Sequence, residues 1–341
     1  MSILGIADAV AQLASPDATE RFSLVAGEPL LAVDLGLEGR EVGADALDAA
    51  RRALHSVPAP TLALRSDNPS PAGRTLLDRF DVLVDTPDEL ALLSDRVRAH
   101  PFAAAALVQL LRHGDKRDVE AGLVAESLVY SMLQSGPEFR AWLAARPAPK
   151  PRVTPARPAV RVWRELDRLN VQLDRPEKRN AFSVAMRDAL CEALQLAAAD
   201  AGLDEIVLTG AGPAFCTGGD LDEFGTLPDP ATAHAIRTSR SAARLMARCS
   251  IRTRAEVHGA CIGAGIELPA FAARVLAAED TVAALPELGM GLVPGAGGSV
   301  SVTRRIGRER TAWWVLSGSQ IDAETGRAWG LFDEIGPVRA G

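Results

Sequence analysis

The sequence predicts an α/β fold with a helical region ahead of its larger core, and three observations predict it. Strand–helix–strand order occurs twice, near residues 29–65 and again near 171–209. Four helical patterns follow one another over residues 87–146. A proline-dense stretch from Arg146 to Val160, with Pro147, Pro149, Pro151, Pro155 and Pro158, then separates them from the second half. Such a stretch reads as a semi-rigid linker, and fifteen extended residues reach up to roughly 45 Å. The expected organisation is an N-terminal region over residues 1–146, a linker over 147–160 and a core over 161–341.

Composition bounds what such a chain does. With 341 residues, 48% hydrophobic and 24% charged, it has enough apolar material for more than one compact unit. A net charge of −7 argues against nucleic acid as a partner, while local arginines can still hold an anionic ligand. No apolar run has membrane-spanning length, so no membrane partner is expected. The start, Met1 to Asp8, lacks a basic segment, so a signal peptide is not expected. The four cysteines, Cys191, Cys216, Cys249 and Cys261, have no C-x-x-C spacing and read as free thiols in a reducing cytoplasm.

The elements follow in order. Residues 1–20 hold a short amphipathic helix that stops near Ser15-Pro16. Pro29 to Leu35 reads as a strand, Ala44 to Ser56 as a helix with apolar spacing at Leu47, Ala50 and Leu54, and Thr61 to Leu64 as a second strand. Asp81 to Asp85 is a short strand. Helices are expected at Pro87–Ala99, Phe102–His113, Val119–Ser135 and Pro137–Ala145. In the second half, Val171 to Leu173 is a strand, Ser183 to Asp200 a helix whose Met186, Leu190 and Leu194 face the core, and Ile206 to Thr209 a strand. One helix is expected over 229–250, and Trp313 and Trp314 on another as packing or interface residues. Residues 20–85 repeat the order of the second half without its loop motifs, as a shortened, inactive copy of it would.

The chemistry concentrates in three glycine-bearing stretches. Pro213 to Leu221 follows an apolar strand and carries Gly218-Gly219; paired glycines let the chain turn sharply and let a ligand approach the backbone. Gly263-Ala264-Gly265-Ile266-Glu267 opens a helix, where free N–H groups and the positive helix end face a ligand. Two such donors on one oxygen make an oxyanion hole, each worth about 10²–10³ in rate. Glu267 lies one turn beyond Ala264, and Glu287 follows twenty residues later, ahead of Gly295. Paired carboxylates beside a polarised carbonyl can divide proton work between water and the substrate carbon.

Five blocks in order make the chain resemble the crotonase (enoyl-CoA hydratase/isomerase) superfamily: Leu173 to Ala181, Ala214 to Leu221, Gly259 to Leu268, Pro286 to Gly298, and Leu316 to Leu331. The resemblance implies a crotonase-like ββα superhelix core. It implies that Gly219 and Ala264 supply oxyanion-hole N–H groups, that Glu267 and Glu287 are acid/base residues, and that the Gly295 backbone helps place water. It further implies that Arg179, Ala181, Thr217 and Gly219 line the path of coenzyme A, beside Asp220 and Leu221, with Lys178 and Arg179 near its phosphates. Coenzyme A belongs to the substrate, an acyl-CoA, and no separate cofactor is implied. Family members form trimers or hexamers, so a homo-oligomer is expected. Family members also carry cap helices after the core, whereas similar helices here lie at 87–146, ahead of it.

Hydration of a 2-enoyl-CoA to a 3-hydroxyacyl-CoA is the expected reaction, because both glutamates are present. Isomerisation, another acyl-CoA enolate reaction, or a non-catalytic acyl-CoA-binding role are the alternatives. A Cys–His nucleophile from Cys216, Cys261 and His258 is weaker, since cysteines in small-residue runs act as apolar filler. Asp220 is expected to cap the turn at Leu221, His258 to be a hydrogen-bonded histidine at a strand end, and Asp222 and Glu223 to be solvated.

Overall fold

The computed structural model describes residues 3–25, 27–37, 41–114, 117–147 and 157–339. Most of the proline-dense linker, residues 148–156, lies outside the described residues. The chain forms two compact units. One comprises the described residues of 1–115 with Arg308–Ser317; the other comprises those of 116–307 and 318–341.

The first unit carries a four-stranded, all-parallel sheet of Leu4–Gly5, Leu31–Asp34, Thr61–Leu64 and Val82–Val84, each strand beside its sequence neighbour. Helices Ile6–Leu13 and Ala44–Ser56 pack together, closing Val10, Leu13, Ala50 and Leu54 into an apolar core. A buried ion cluster ties the sheet to its helices. The Asp81 carboxylate accepts from Thr61 N (2.8 Å) and Thr61 Oγ1 (2.9 Å), and pairs with Arg112 and Arg308. Those hydrogen bonds and two cations offset the cost of burying the charge. The helix bearing the paired tryptophans, Arg308–Ser317, belongs to this unit, with Trp314 fully buried and Trp313 Nε1 donating to Glu89.

The second unit is built on a six-stranded sheet. Val160–Glu165 runs antiparallel to Arg168–Leu173; Glu205–Gly210, Thr253–Val257, Arg274–Ala277 and Glu334–Ile335 then follow in parallel. A smaller sheet joins Ala260–Ile262, Val282–Ala284 and Gln320–Asp322. This architecture is the crotonase-type α/β core. Helix Val184–Ala199 covers the large sheet with Met186, Leu190 and Leu194 inward, its start capped by Ser183.

Two expectations change. The helices at 87–146 do not act as one cap. Pro87–Ala99 and Pro101–Arg112 belong to the first unit, whereas Val119–Gln134 and Pro137–Ala144 belong to the second, so the units do not divide at residue 146. Val119–Gln134, capped by Asp118, packs on helices Pro230–Ser239, Ala242–Cys249 and Gly298–Ile306. The close approach to the last of these needs Gly122, where a Cβ would lie 2.8 Å from Val300 Cγ2. The single helix expected over 229–250 is two. The chain leaves helical geometry at Arg240 (φ −117°, ψ 71°), and Ser241 caps the second helix through Arg244 N at 3.1 Å. A serine hydroxyl that satisfies a free N–H makes a restart favourable where apolar spacing alone suggested continuity.

Candidate active site

The glycine-bearing stretches are stitched together by main-chain hydrogen bonds. Cys216 N donates to Ala260 O (3.1 Å), Ile262 N to Cys216 O (2.9 Å) and Gly263 N to Ala284 O (2.9 Å). Phe182 N donates to Gly218 O (2.7 Å) and Asp220 N to Phe182 O (3.1 Å). The pleat leaves the Gly219 N–H between those bonds, and among the described residues neither it nor the Ala264 N–H has an acceptor. Gly263 turns the chain into the one-turn helix Ala264–Glu267 at φ 51°, a left-handed conformation. At Gly265 a Cβ would lie 2.1 Å from Cys216 O, so only glycine fits. Gly219 and Ala264 line one cavity of about 430 Å³ with Glu267, Glu287 and Gly295.

Three buried glutamates face this cavity, one more than the sequence suggested. Glu126, from helix Val119–Gln134, is 2% exposed, as is Glu267, and Glu287 is 8% exposed. Glu126 and Glu267 divide four consecutive N–H groups at the start of helix Gly298–Ile306. Ala296 N (2.7 Å) and Gly298 N (2.8 Å) donate to Glu267 Oε2. Gly297 N (2.7 Å) donates to Glu126 Oε1, and Ser299 N (2.9 Å) and Ser299 Oγ (2.6 Å) donate to Glu126 Oε2. The positive helix end thus holds two carboxyls side by side. Glu287 differs: its Oε2 is buried without a hydrogen-bond partner among the described residues, and a Cβ on Gly263 would lie 2.7 Å from its Oε1.

Burial makes these acids hold their protons. Glu126 is pushed from 4.5 up to about 7, chiefly by desolvation, against the pull of its Ser299 and Gly297 donors. Glu287 is pushed up to about 8, again chiefly by desolvation, with Glu126 adding to the rise. Glu267 is raised well above 4.5 by desolvation, then by the charges of Glu287 and Glu126. Near neutral pH the cluster therefore carries exchangeable protons beside two unfilled backbone donors, a combination suited to acid/base work on a polarised carbonyl.

The remaining expected residues separate into two groups. Thr217, Gly219 and Leu221 line the cavity; Lys178, Arg179, Ala181 and Asp220 stand outside its lining. Lys178 pairs with Asp222 at 2.9 Å, so Asp222 is engaged where solvation was expected. Glu223 likewise accepts from Val184 N at 2.7 Å. Arg179 sits at φ 49°, with its carbonyl accepting from Thr217 N at 3.2 Å. Asp220 accepts from Asp222 N (3.2 Å) and pairs with Arg175 (3.2 Å). His258 Nε2 lies 2.8 Å from Gly212 O. Burial pushes the Cys216 thiol up to about 12 and raises Cys261 well above its ordinary value, which suppresses any thiolate.

Sequence reasoning missed Glu126, Tyr130 and Arg237 as cavity residues. The signal was available: Leu123, Glu126 and Tyr130 fall at helical spacing on one stripe, and an acid on an otherwise buried stripe calls for a partner.

The fold and the cavity define an α/β protein of the crotonase type. The sequence profile of the enoyl-CoA hydratase/isomerase family matches residues 169–340, half of the chain, and the chain belongs to that family. It is 34% identical over 172 residues to the 2,3-dehydroadipyl-CoA hydratase of Escherichia coli (strain K12), covering 50% of this chain and 66% of that protein. It is 31% identical over 175 residues to the enoyl-CoA isomerase/hydratase fer4 of Mycosarcoma maydis, covering 48% and 64%. A crystal structure of an enoyl-CoA hydratase from Mycobacterium smegmatis is 28% identical, with a TM-score of 0.49 over 52% of this chain and 70% of that one. The chain spans just under two thirds of the length of these two curated relatives.

Proposed function

We propose that the protein adds water to a 2-enoyl-CoA, giving a 3-hydroxyacyl-CoA. The observation that carries this reading is the shared cavity of Glu267, Glu287 and the unfilled N–H groups of Gly219 and Ala264. The thioester oxygen accepts from those two N–H groups and gains negative charge as water attacks C3. Glu267 acts in its ionised form, which the Ala296 and Gly298 N–H groups favour at Oε2, and presents Oε1 to orient the water and take its proton. Glu287, which keeps a proton near neutral pH, delivers one to C2. One proton has moved onto Glu267 and one off Glu287; transfer between the two restores the starting state. Two relatives described above carry hydratase in their names, which supports the same reaction class.

Isomerisation of the double bond is the second reading, favoured by the unpartnered Oε2 of Glu287, since a single carboxyl can shuttle that proton. Mixing the protein with crotonyl-CoA and following the absorbance of the conjugated thioester tests the first reading. Hydration predicts loss of absorbance, slowed by at least about 10³ in Glu287→Gln. Unchanged absorbance, with conversion of a 3-enoyl-CoA to its 2-enoyl isomer instead, supports the second reading and removes the first.

A further inference from the structure

Beside its buried glutamates the cavity holds a tyrosine and an arginine that the reaction above leaves without a role. Tyr130 of helix Val119–Gln134 and Arg237 of helix Pro230–Ser239 both line it. The Arg237 guanidinium lies over the Tyr130 ring, 4.7 Å from its centroid. Its partners are all neutral: Ser127 Oγ at 3.1 Å from Nε, Gln134 Oε1 at 3.3 Å from Nη1, and Ser131 Oγ and the Ser127 carbonyl on Nη2. Five N–H groups are available to a guanidinium, so one on Nη1 remains unused.

The other arginines lining this cavity are matched by acids. Arg187 pairs with Asp188, Arg240 with Asp188 and Glu192, and Arg244 with Glu120. No Asp or Glu pairs with Arg237 among the described residues, and both oxygens of Glu126 are committed to the start of helix Gly298–Ile306. The Tyr130 hydroxyl also has no hydrogen-bond partner among the described residues. A half-buried cation without a counter-ion, beside an unused hydroxyl donor, is costly unless a ligand completes the set.

We propose that Arg237 and Tyr130 form a specificity subsite for a carboxylate carried at the far end of the acyl group, so that the preferred substrate is a dicarboxylic enoyl-CoA. The substrate carboxylate takes the unused Nη1–H of Arg237 and the Tyr130 O–H, and neutralises the guanidinium. The inference rests on the acyl-CoA reading above for which end of the substrate enters the cavity. It adds what that end carries.

The test separates the two readings by using binding as well as turnover. Saturated dicarboxylic acyl-CoA esters of five, six and eight carbons are titrated calorimetrically against monocarboxylic esters of equal length. The corresponding 2-enoyl esters are assayed for turnover. The expected result is a preference of about 10–100-fold for the dicarboxylic ester at one chain length, the range of one charge-assisted contact. Arg237→Gln should bring the ratio close to one, Arg237→Lys should keep part of it, and Tyr130→Phe should lower it. Preferential binding without turnover of any ester supports the subsite and removes the hydratase reading. Turnover with no dicarboxylate preference in the unaltered protein overturns the subsite and leaves hydration standing, whatever the variants do.

Discussion

Replacing Glu126 by Gln perturbs the site without emptying it. The amide has nearly the shape of the carboxyl, but it cannot ionise, and only one of its two heads accepts a hydrogen bond. Glu126 is raised from 4.5 to about 7 in the folded protein, a difference equivalent to about 3 kcal/mol. Because the folded pKa is raised, the folded state keeps a proton that the unfolded chain releases above about 4.5. That contribution to stability is complete at pH 4.5 and below, is lost as pH rises, and is gone above about pH 7. Urea denaturation at pH 5, 6, 7 and 8 should therefore show the unaltered protein losing about 3 kcal/mol more across the series than Glu126→Gln. Glutamine also faces an amide NH₂ toward either Gly297 N–H or the Ser299 pair, which costs about 1.5–3 kcal/mol. The variant should thus be the less stable protein at pH 5, with the deficit closing by pH 8. Loss of the Glu126 charge also lowers the proton affinity of Glu267 and Glu287, so the pH–rate profile should move toward acid. Parallel stability curves and an unmoved pH profile would refute the reasoning, because an uncharged or solvated Glu126 produces both.

Further outcomes follow from single contacts. Gly263→Ala places a methyl 2.7 Å from Glu287 Oε1 at a left-handed φ, so activity should fall by at least about tenfold while the coenzyme A ester still binds, read by kcat against Kd. Gly122→Leu drives a side chain into Val300 and should destabilise the second unit by about 1–3 kcal/mol in thermal unfolding. Arg112→Leu leaves buried Asp81 with Arg308 as its remaining cation and should cost about 3 kcal/mol or more, measured by denaturant titration. Iodoacetamide at pH 7.5 should leave Cys216 unmodified and activity intact, by mass spectrometry and absorbance, because burial pushes that thiol up to about 12.

The crotonase-type half was legible in the sequence because its local rules are strict. Gly263 and Gly265 stand where a positive φ and a 2.1 Å approach exclude any other residue, and such positions announce themselves as glycine. Helices with a strong start signal were equally clear: Pro87 and Pro137 at first-turn positions, and Asp118 and Ser183 as caps, set their beginnings. The restart at Ser241 was less visible, because the apolar spacing runs on through it and a serine cap looks like any surface serine. Which helices serve the second unit was invisible, since the four patterns between 87 and 146 have similar amphipathic character and only three-dimensional packing sorts them. The stripe of Leu123, Glu126 and Tyr130 signals that Glu126 needs a partner, but which partner stayed hidden for the same reason. Its partners, Gly297 and Ser299, lie 171 and 173 positions away, and no local spacing announces a contact at that range.

That separation has a consequence for how the protein is made. Helix Val119–Gln134 leaves the ribosome well before the residues that cover its apolar stripe and neutralise Glu126. At about 5–20 residues per second, Ser299 follows Glu126 by about 10–35 s. For that interval the nascent chain displays a greasy helix with a stranded acid on it, a natural docking point for a chaperone, and folding of the second unit has to wait for its last third. A protein whose covering helix followed its core would have no such delay, so slowing translation between residues 160 and 300 should reduce the yield of this chain more than that of a relative built in the usual order.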